Sequence, residues 1–210
     1  MNKTKILDGA MGTELIQRGE ILPPHIWSAK INLTNPKLIY QIHKEYIDAG
    51  ANYITTNTFR STTRAFKKTG LNDLDAKLSA EQSFLAAIQM AQKASKKNTR
   101  ILGSIAPLED CYLPNLFPGQ EQAKKEFTEI AQQFKFSGVH ILILETMTNI
   151  DETKICLDAI KSLSLPIWVS YNLINAKQIR SGESLNDAIN LLKNYPVDCL
   201  LLNCNSIKRT

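Results

Sequence analysis

No run in this 210-residue chain approaches the roughly 18 apolar residues that cross a bilayer. The start, Met1-Asn2-Lys3-Thr4-Lys5, leads straight into strand-like Ile6-Leu7 without an apolar leader. A cytoplasmic protein with no membrane contact is therefore expected. The four cysteines, Cys111, Cys156, Cys199 and Cys204, form no CxxC pair and have no regular spacing, which argues against a disulfide framework. Neither GxGxxG nor GxxxxGK[ST] follows the first apolar run, so a nucleotide-binding open sheet loses its main support. The net charge of +5 lacks a focus. Basic residues are spread along helical faces, with Lys96-Lys97 and Lys124-Lys125 as short doublets, and no recognition motif or aromatic-basic stripe accompanies them. Nucleic-acid binding is not expected.

What is present is an ordinary globular composition, 43% hydrophobic and 21% charged, sufficient for one sizeable core. Strand and helix patterns alternate along it. After Ile6-Leu7, Asn35-Pro36 reads as cap and first turn of a helix carrying Leu38, Ile39, Ile42, Tyr46 and Ile47 at helical spacing, stopped by Gly50. A strand over 52–57 follows. A long helix over about 73–97, with Leu74, Leu78, Phe84, Leu85, Ile88 and Met90, leads to a strand over 100–106. The next helix, near 119–137, ends at Gly138, and Val139-His140-Ile141-Leu142-Ile143-Leu144-Glu145 has the nearly unbroken apolar run of a parallel strand covered on both faces. Asn149 opens another helix, Pro166 to Asn172 forms a fifth strand, and a helix over 185–192 precedes a sixth strand ending at Cys204. Cys156 and Cys199 fall within a helix and a strand, where small buried thiols are common.

This alternation argues for an α/β fold with a parallel sheet, and without a nucleotide loop a closed barrel fits better than an open sheet. The expectation is a (β/α)8 TIM-barrel type, incomplete, with about six βα units in a single domain over 1–210 and the last two strands absent. Polar residues recur at the carboxyl ends of the expected strands, where barrels keep their chemistry. They are Asp8-Gly9, Thr56-Asn57-Thr58-Phe59, Ser104 with the 106–111 loop, Glu145-Thr146, Ser170 to Asn172, and Asn203-Cys204. Each could equally be a residue that bonds its own strand end. No strand-end lysine occupies a Schiff-base position, and the usual phosphate site would need strands seven and eight, so aldolase-type and phosphate-binding barrels are disfavoured.

Six phrases, in order, carry a resemblance: Leu7-Asp8-Gly9-Ala10-Met11-Gly12-Thr13-Glu14-Leu15, Thr56-Asn57-Thr58-Phe59, Gly103-Ser104-Ile105-Ala106-Pro107, Leu144-Glu145-Thr146-Met147, Ser181-Gly182-Glu183-Ser184-Leu185 and Asn203-Cys204. Together they resemble the homocysteine S-methyltransferases. The resemblance implies a barrel on which zinc binds the thiol of homocysteine and strips its proton, so that the sulfur takes a methyl group from a donor to give methionine. Without an attached cobalamin or folate module, a small sulfonium donor of the S-methylmethionine or S-adenosylmethionine type is expected. The alternative is an inactive relative that binds an amino-acid thiol or a partner chain.

By the same resemblance, Cys204 matches the first of three zinc cysteines, and Asn203 beside it belongs to the substrate pocket. Asp8 and Glu145 match acidic positions that receive the substrate ammonium. The Gly9 to Gly12 turn amides, for Asp8, and an internal ion pair, for Glu145, remain open alternatives. Thr58 and Ser104 match pocket-lining segments, with a scaffold role equally open. His25, His43 and His140 are not read as ligands, and Cys111 lies in a loop that the family carries without using it for zinc. The departure lies at the end. The family's other two zinc cysteines form a Gly-Gly-Cys-Cys-Gly phrase, and Asn205 to Thr210 contains nothing like it. The apolar run Cys199-Leu200-Leu201-Leu202 is therefore expected on an exposed edge, open to a second copy or to a complementing chain.

Overall fold

A computed structural model describes residues 4–205, which fall into two compact units divided after Ser104. The first unit contains α1 (Met11–Gln17), α2 (Ala29–Thr34), α3 (Pro36–Asp48), β1 (Tyr53–Thr55), α4 (Thr63–Lys67), α5 (Asp73–Ala94) and β2 (Arg100–Ile105), whose last residue crosses the division. β1 and β2 are parallel, with Tyr53 opposite Arg100 and Thr55 opposite Leu102.

The expected first strand is reduced to a single parallel bridge, Leu7 to Tyr53. The chain begins the ladder normally: Asn52 N donates to Ile6 O at 2.8 Å and Asp8 N to Tyr53 O at 2.9 Å. The next donor, Thr55 N, goes instead to the Asp8 side chain at 2.7 Å, and the ladder stops. Asp8 thus ends the strand that it was expected to follow.

Helix α3 starts at Pro36 and ends before Gly50, whose φ of +110° suits a residue without Cβ. Asn35 does not cap it; its side-chain amide donates to Glu20 at 3.2 Å. Helix α5 is capped by Asn72, which accepts from Asp75 N at 2.9 Å. Its buried face is made of small residues, Ala76, Ala80, Ser83, Ala87, Ala91 and Ala94, with Phe84 and Ile88. Leu74, Leu78 and Leu85 face solvent. Small side chains at three- and four-residue spacing allow α2 and α3 to approach closely, and the larger leucines fall on the opposite face.

The second unit contains α6 (Gln120–Phe134), β3 (Ile141–Met147), α7 (Ile150–Ile160), β4 (Ile167–Tyr171), β5 (Leu173–Asn175), β6 (Gln178–Ile179), α8 (Leu185–Leu192) and β7 (Val197–Leu202). β4 lies between β3 and β7, parallel to both. Strand β3 does not stop at Glu145. Its register with β4 runs from Leu142 to Leu144, breaks, and resumes at Met147, so Glu145 and Thr146 form a bulge. Asn149 caps α7 by accepting from Glu152 N at 2.7 Å. The short antiparallel hairpin β5–β6 was not expected from the sequence; it rises between β4 and α8. β7 ends at Leu202, two residues before Cys204. It stands at the edge of the strand order and alternates half-buried with exposed residues, Leu200 and Leu202 among the latter. No helix of the described residues is long and apolar enough to cross a membrane.

Candidate active site around Cys204

Three strand ends of the second unit meet at Asn203. Its Nδ2 donates to Thr146 Oγ1 at 2.8 Å, beyond the bulge of β3, and its Oδ1 accepts from Ser170 Oγ on β4, also at 2.8 Å. The following residue, Cys204, is exposed, with Sγ 3.8 Å from Thr146 Oγ1 and 3.6 Å from Asn203 Nδ2. Its carbonyl accepts from Asn172 Nδ2 at 2.9 Å. Asn172 is buried, and its Oδ1 has no partner among the described residues.

Backbone strain is concentrated at the same place. Thr146 has φ +59° and Cys204 φ +53°. A left-handed conformation costs an L-residue about 1–2 kcal/mol, and it is least natural for a β-branched threonine. Such positions persist where the surroundings over-determine them. Here the bonds through Asn203, Ser170 and Asn172 do so.

Tyr112, in the loop after β2, has its phenol close to the Cys204 sulfur. Burial first, then the nearby Cys204 and Cys111 sulfurs, push its phenol up to about 12. Arg180, at the end of β6, lies with Cζ 5.2 Å from the Tyr112 ring centroid, and its Nε donates weakly to Tyr112 O at 3.4 Å. The hairpin that presents Arg180 is fastened by backbone bonds from Arg180 N to Asn172 O (2.8 Å) and from Ser181 N to Thr148 O (2.9 Å). Within the Ser181-Gly182-Glu183 phrase, Glu183 Oε2 accepts from Ile150 N at the start of α7 and from Ser181 Oγ, at 3.0 and 2.6 Å. Sequence reasoning missed Arg180 and the placement of Tyr112. Tyr112 does stand in a Glu-Asp-Cys-Tyr phrase of the catalytic-face loop, but strands of two and three residues have no periodicity to announce the hairpin.

The other residues singled out from sequence are placed as follows. Glu145 is half-buried in the bulge of β3, beside Thr146. In the first unit, Asp8 accepts from Thr55 N at 2.7 Å and Thr55 Oγ1 at 3.0 Å. Thr58 Oγ1 donates to Ser104 O at 2.7 Å and meets Thr56 Oγ1 at 2.9 Å, while Ser104 N donates to Thr56 Oγ1 at 3.1 Å. Cys111 is buried. Cys156 is fully enclosed in α7, and burial pushes its thiol well above the ordinary range, which makes it unreactive.

Among the described residues no three His, Cys, Asp or Glu side chains converge to hold a metal. A zinc site with an open position takes three protein ligands, and Cys204 with its amide and hydroxyl neighbours provides one thiolate. By themselves these residues do not fit zinc.

A family profile described as homocysteine S-methyltransferase matches residues 5–210. The chain belongs to this family. Homocysteine S-methyltransferase of Escherichia coli strain K12 is 28% identical over 226 residues, covering 98% of this chain and 70% of that protein. Homocysteine S-methyltransferase 1 of Arabidopsis thaliana is 24% identical, over 95% of this chain and 68% of its own length. The metallated crystal form of the E. coli homocysteine methyltransferase MmuM superposes with a TM-score of 0.87 at 26% identity, covering all of this chain and 77% of that structure. The α/β barrel-type class expected from the strand and helix alternation is thus the fold of the family. Membership places the chain in a methyltransferase class.

Proposed function

We propose that the chain binds homocysteine at the Cys204 end of β7 and directs a methyl group from a small sulfonium donor onto its sulfur, giving methionine. The observation that carries this reading is the strained Cys204 turn, held by Asn203, Thr146 and Asn172 so that its thiol is exposed at the strand ends. In the reaction the homocysteine S–H gives its proton to solvent. The sulfur lone pair forms a bond to the methyl carbon, the bond from that carbon to the sulfonium breaks, and its electron pair leaves with the donor as a neutral thioether. A free thiol with a pKa near 8.5 is mostly protonated at neutral pH, so lowering that pKa is the central catalytic need.

In this reading the chain is one barrel domain. Within the second unit Glu145 receives the homocysteine ammonium, Asn203 lines its pocket and Cys204 is one zinc ligand; within the first, Asp8, Thr58 and Ser104 keep the substrate-binding roles that the family resemblance gives them. Further zinc donors lie outside the described residues, and the exposed β7 edge is open to a second copy or a complementing chain. A cytoplasmic location, where thiols stay reduced, is part of the reading. The test is methionine formation from homocysteine with S-methylmethionine or S-adenosylmethionine, with and without added zinc, in the chain and in Cys204→Ser. Turnover lost in the variant supports the reading. Homocysteine binding without turnover under any condition favours the inactive relative instead. Light scattering after size exclusion reports on the edge: a compact monomer at all concentrations overturns self-association.

A further inference from the structure

We infer that Arg180 binds the α-carboxylate of an amino-acid substrate whose sulfur lies at Cys204, a role that rests on the function proposed above. Four groups form a closed circuit in the second unit. Arg180 N bonds Asn172 O, Asn172 Nδ2 bonds Cys204 O, the Cys204 sulfur lies beside the Tyr112 phenol, and the Tyr112 ring and carbonyl hold the Arg180 guanidinium. The circuit fixes Arg180 at one side chain's remove from the thiol.

Its chemistry is unspent. Nε makes the weak bond to Tyr112 O, and the two terminal nitrogens have no hydrogen-bond or ion-pair partner among the described residues. The carboxylate nearest in sequence, Glu183, is engaged with Ile150 N and Ser181 Oγ. A structural arginine is normally neutralised by a carboxylate, as Arg18 is by Glu14 and Glu45 in the first unit. A guanidinium held over an aromatic ring without a carboxylate partner keeps its terminal nitrogens available for the two oxygens of a carboxylate. Cys204 is exposed, Tyr112 is about half exposed and Arg180 half-buried, so a ligand reaches all three. Homocysteine and a sulfonium donor such as S-methylmethionine both carry an α-carboxylate a few bonds from sulfur, and either could be the one that Arg180 holds.

The experiment is direct binding by titration calorimetry on the full 210-residue chain, comparing wild type, Arg180→Gln and Arg180→Lys. The probes are homocysteine, S-methylmethionine and their decarboxylated analogues, 3-aminopropanethiol and (3-aminopropyl)dimethylsulfonium. Arg180→Gln is expected to weaken one of the two amino acids by about 10- to 100-fold, the usual worth of a charge-assisted pair, and to leave its decarboxylated analogue unchanged. Arg180→Lys recovers part of the loss. The amino acid affected identifies whether the carboxylate belongs to acceptor or donor. The inference is overturned if wild type binds the amino acids and Arg180→Gln binds them equally well, or loses as much for the decarboxylated probes. Wild type that binds neither amino acid overturns the proposed function itself, and this inference with it.

Discussion

Asn203 and Thr146 are joined by a 2.8 Å bond from side-chain amide to hydroxyl, and this bond ties the end of an edge strand to a bulge two strands away. Because the oxygen of that amide accepts from Ser170 Oγ, truncating Asn203 strands two hydroxyls, on Thr146 and Ser170, that are almost wholly buried. Asn203→Ala is expected to cost about 2 kcal/mol. Urea unfolding should show a lower midpoint at an unchanged slope. A midpoint equal to that of wild type would mean that the three strand ends are held by their ladders alone.

The left-handed turn at Cys204 separates two substitutions that both remove the thiol. Alanine keeps the Cβ penalty at φ +53°, whereas glycine escapes about 1–2 kcal/mol of it and gives back somewhat less in unfolded-chain entropy. Cys204→Gly should therefore be more stable than Cys204→Ala by about 0.5–1 kcal/mol while equally unable to bind a thiol-directed metal. Equal stabilities in paired urea titrations would show that the turn is unstrained.

His43 gives the first unit a pH dependence with a definite sign. It is fully buried on α3, neither ring nitrogen has a partner among the described residues, and burial lowers its pKa from 6.5 to about 4. Between those values the unfolded chain takes up a proton that the folded chain refuses. Stability is present in full above pH 6.5 and falls as pH drops toward 4, by roughly 3 kcal/mol in all. His43→Leu should flatten that stretch of the stability curve and be neutral or stabilising at pH 7, because it replaces two unsatisfied polar atoms with an apolar group of similar size. Unfolding midpoints at pH 4.5 and 7 in the two proteins decide it; identical slopes against pH would remove His43 as the cause.

How much was legible in the sequence depends on what each feature is made of. β2 and β4 are apolar runs bounded by Arg100 and Pro166, and their strand character survives without any tertiary knowledge. The helix over Leu185–Leu192 falls on the expected residues. Three features were hidden. The bulge at Glu145 and Thr146 is a backbone event within an unbroken apolar run, so the strand reads as ending at the carboxylate when it continues to Met147. The buried face of α5 is an alanine stripe, and larger leucines on the other face outweigh it in any reading by hydrophobicity. The first strand is cut short by a side chain competing with its own carbonyl, Asp8 for Thr55 N, which only the register reveals. At the site, Asn203 and Cys204 were legible as a phrase and Thr146 and Asn172 as polar strand ends, but Tyr112 and Arg180 come from a loop and a short hairpin that have no periodicity to announce them.

The Thr56-Asn57-Thr58-Phe59 phrase shows how a motif can mix purposes. Asn57 is buried within the first unit, where its Nδ2 donates to Ser28 O at 3.0 Å and Asn32 Oδ1 at 2.8 Å, and its Oδ1 accepts from Ser28 Oγ at 2.5 Å. Asn32 extends the network to Ser83 Oγ at 3.0 Å, and Ser83 returns a bond to Ala29 O on α2. Every bond of this set joins α2 or Ser28, the residue before it, to the segment after β1 or to α5, so the set works as an internal staple. Removing Asn57 strands a backbone carbonyl, an amide oxygen and a hydroxyl together, and each buried loss costs about 1–3 kcal/mol. Asn57→Ala is therefore expected to lower stability by about 3 kcal/mol or more, well beyond Asn203→Ala. It should leave homocysteine affinity unchanged at temperatures where the chain remains folded. Calorimetric binding below the transition, set beside thermal unfolding, tests both halves: a variant that unfolds like wild type but no longer binds would reassign Asn57 from staple to substrate contact.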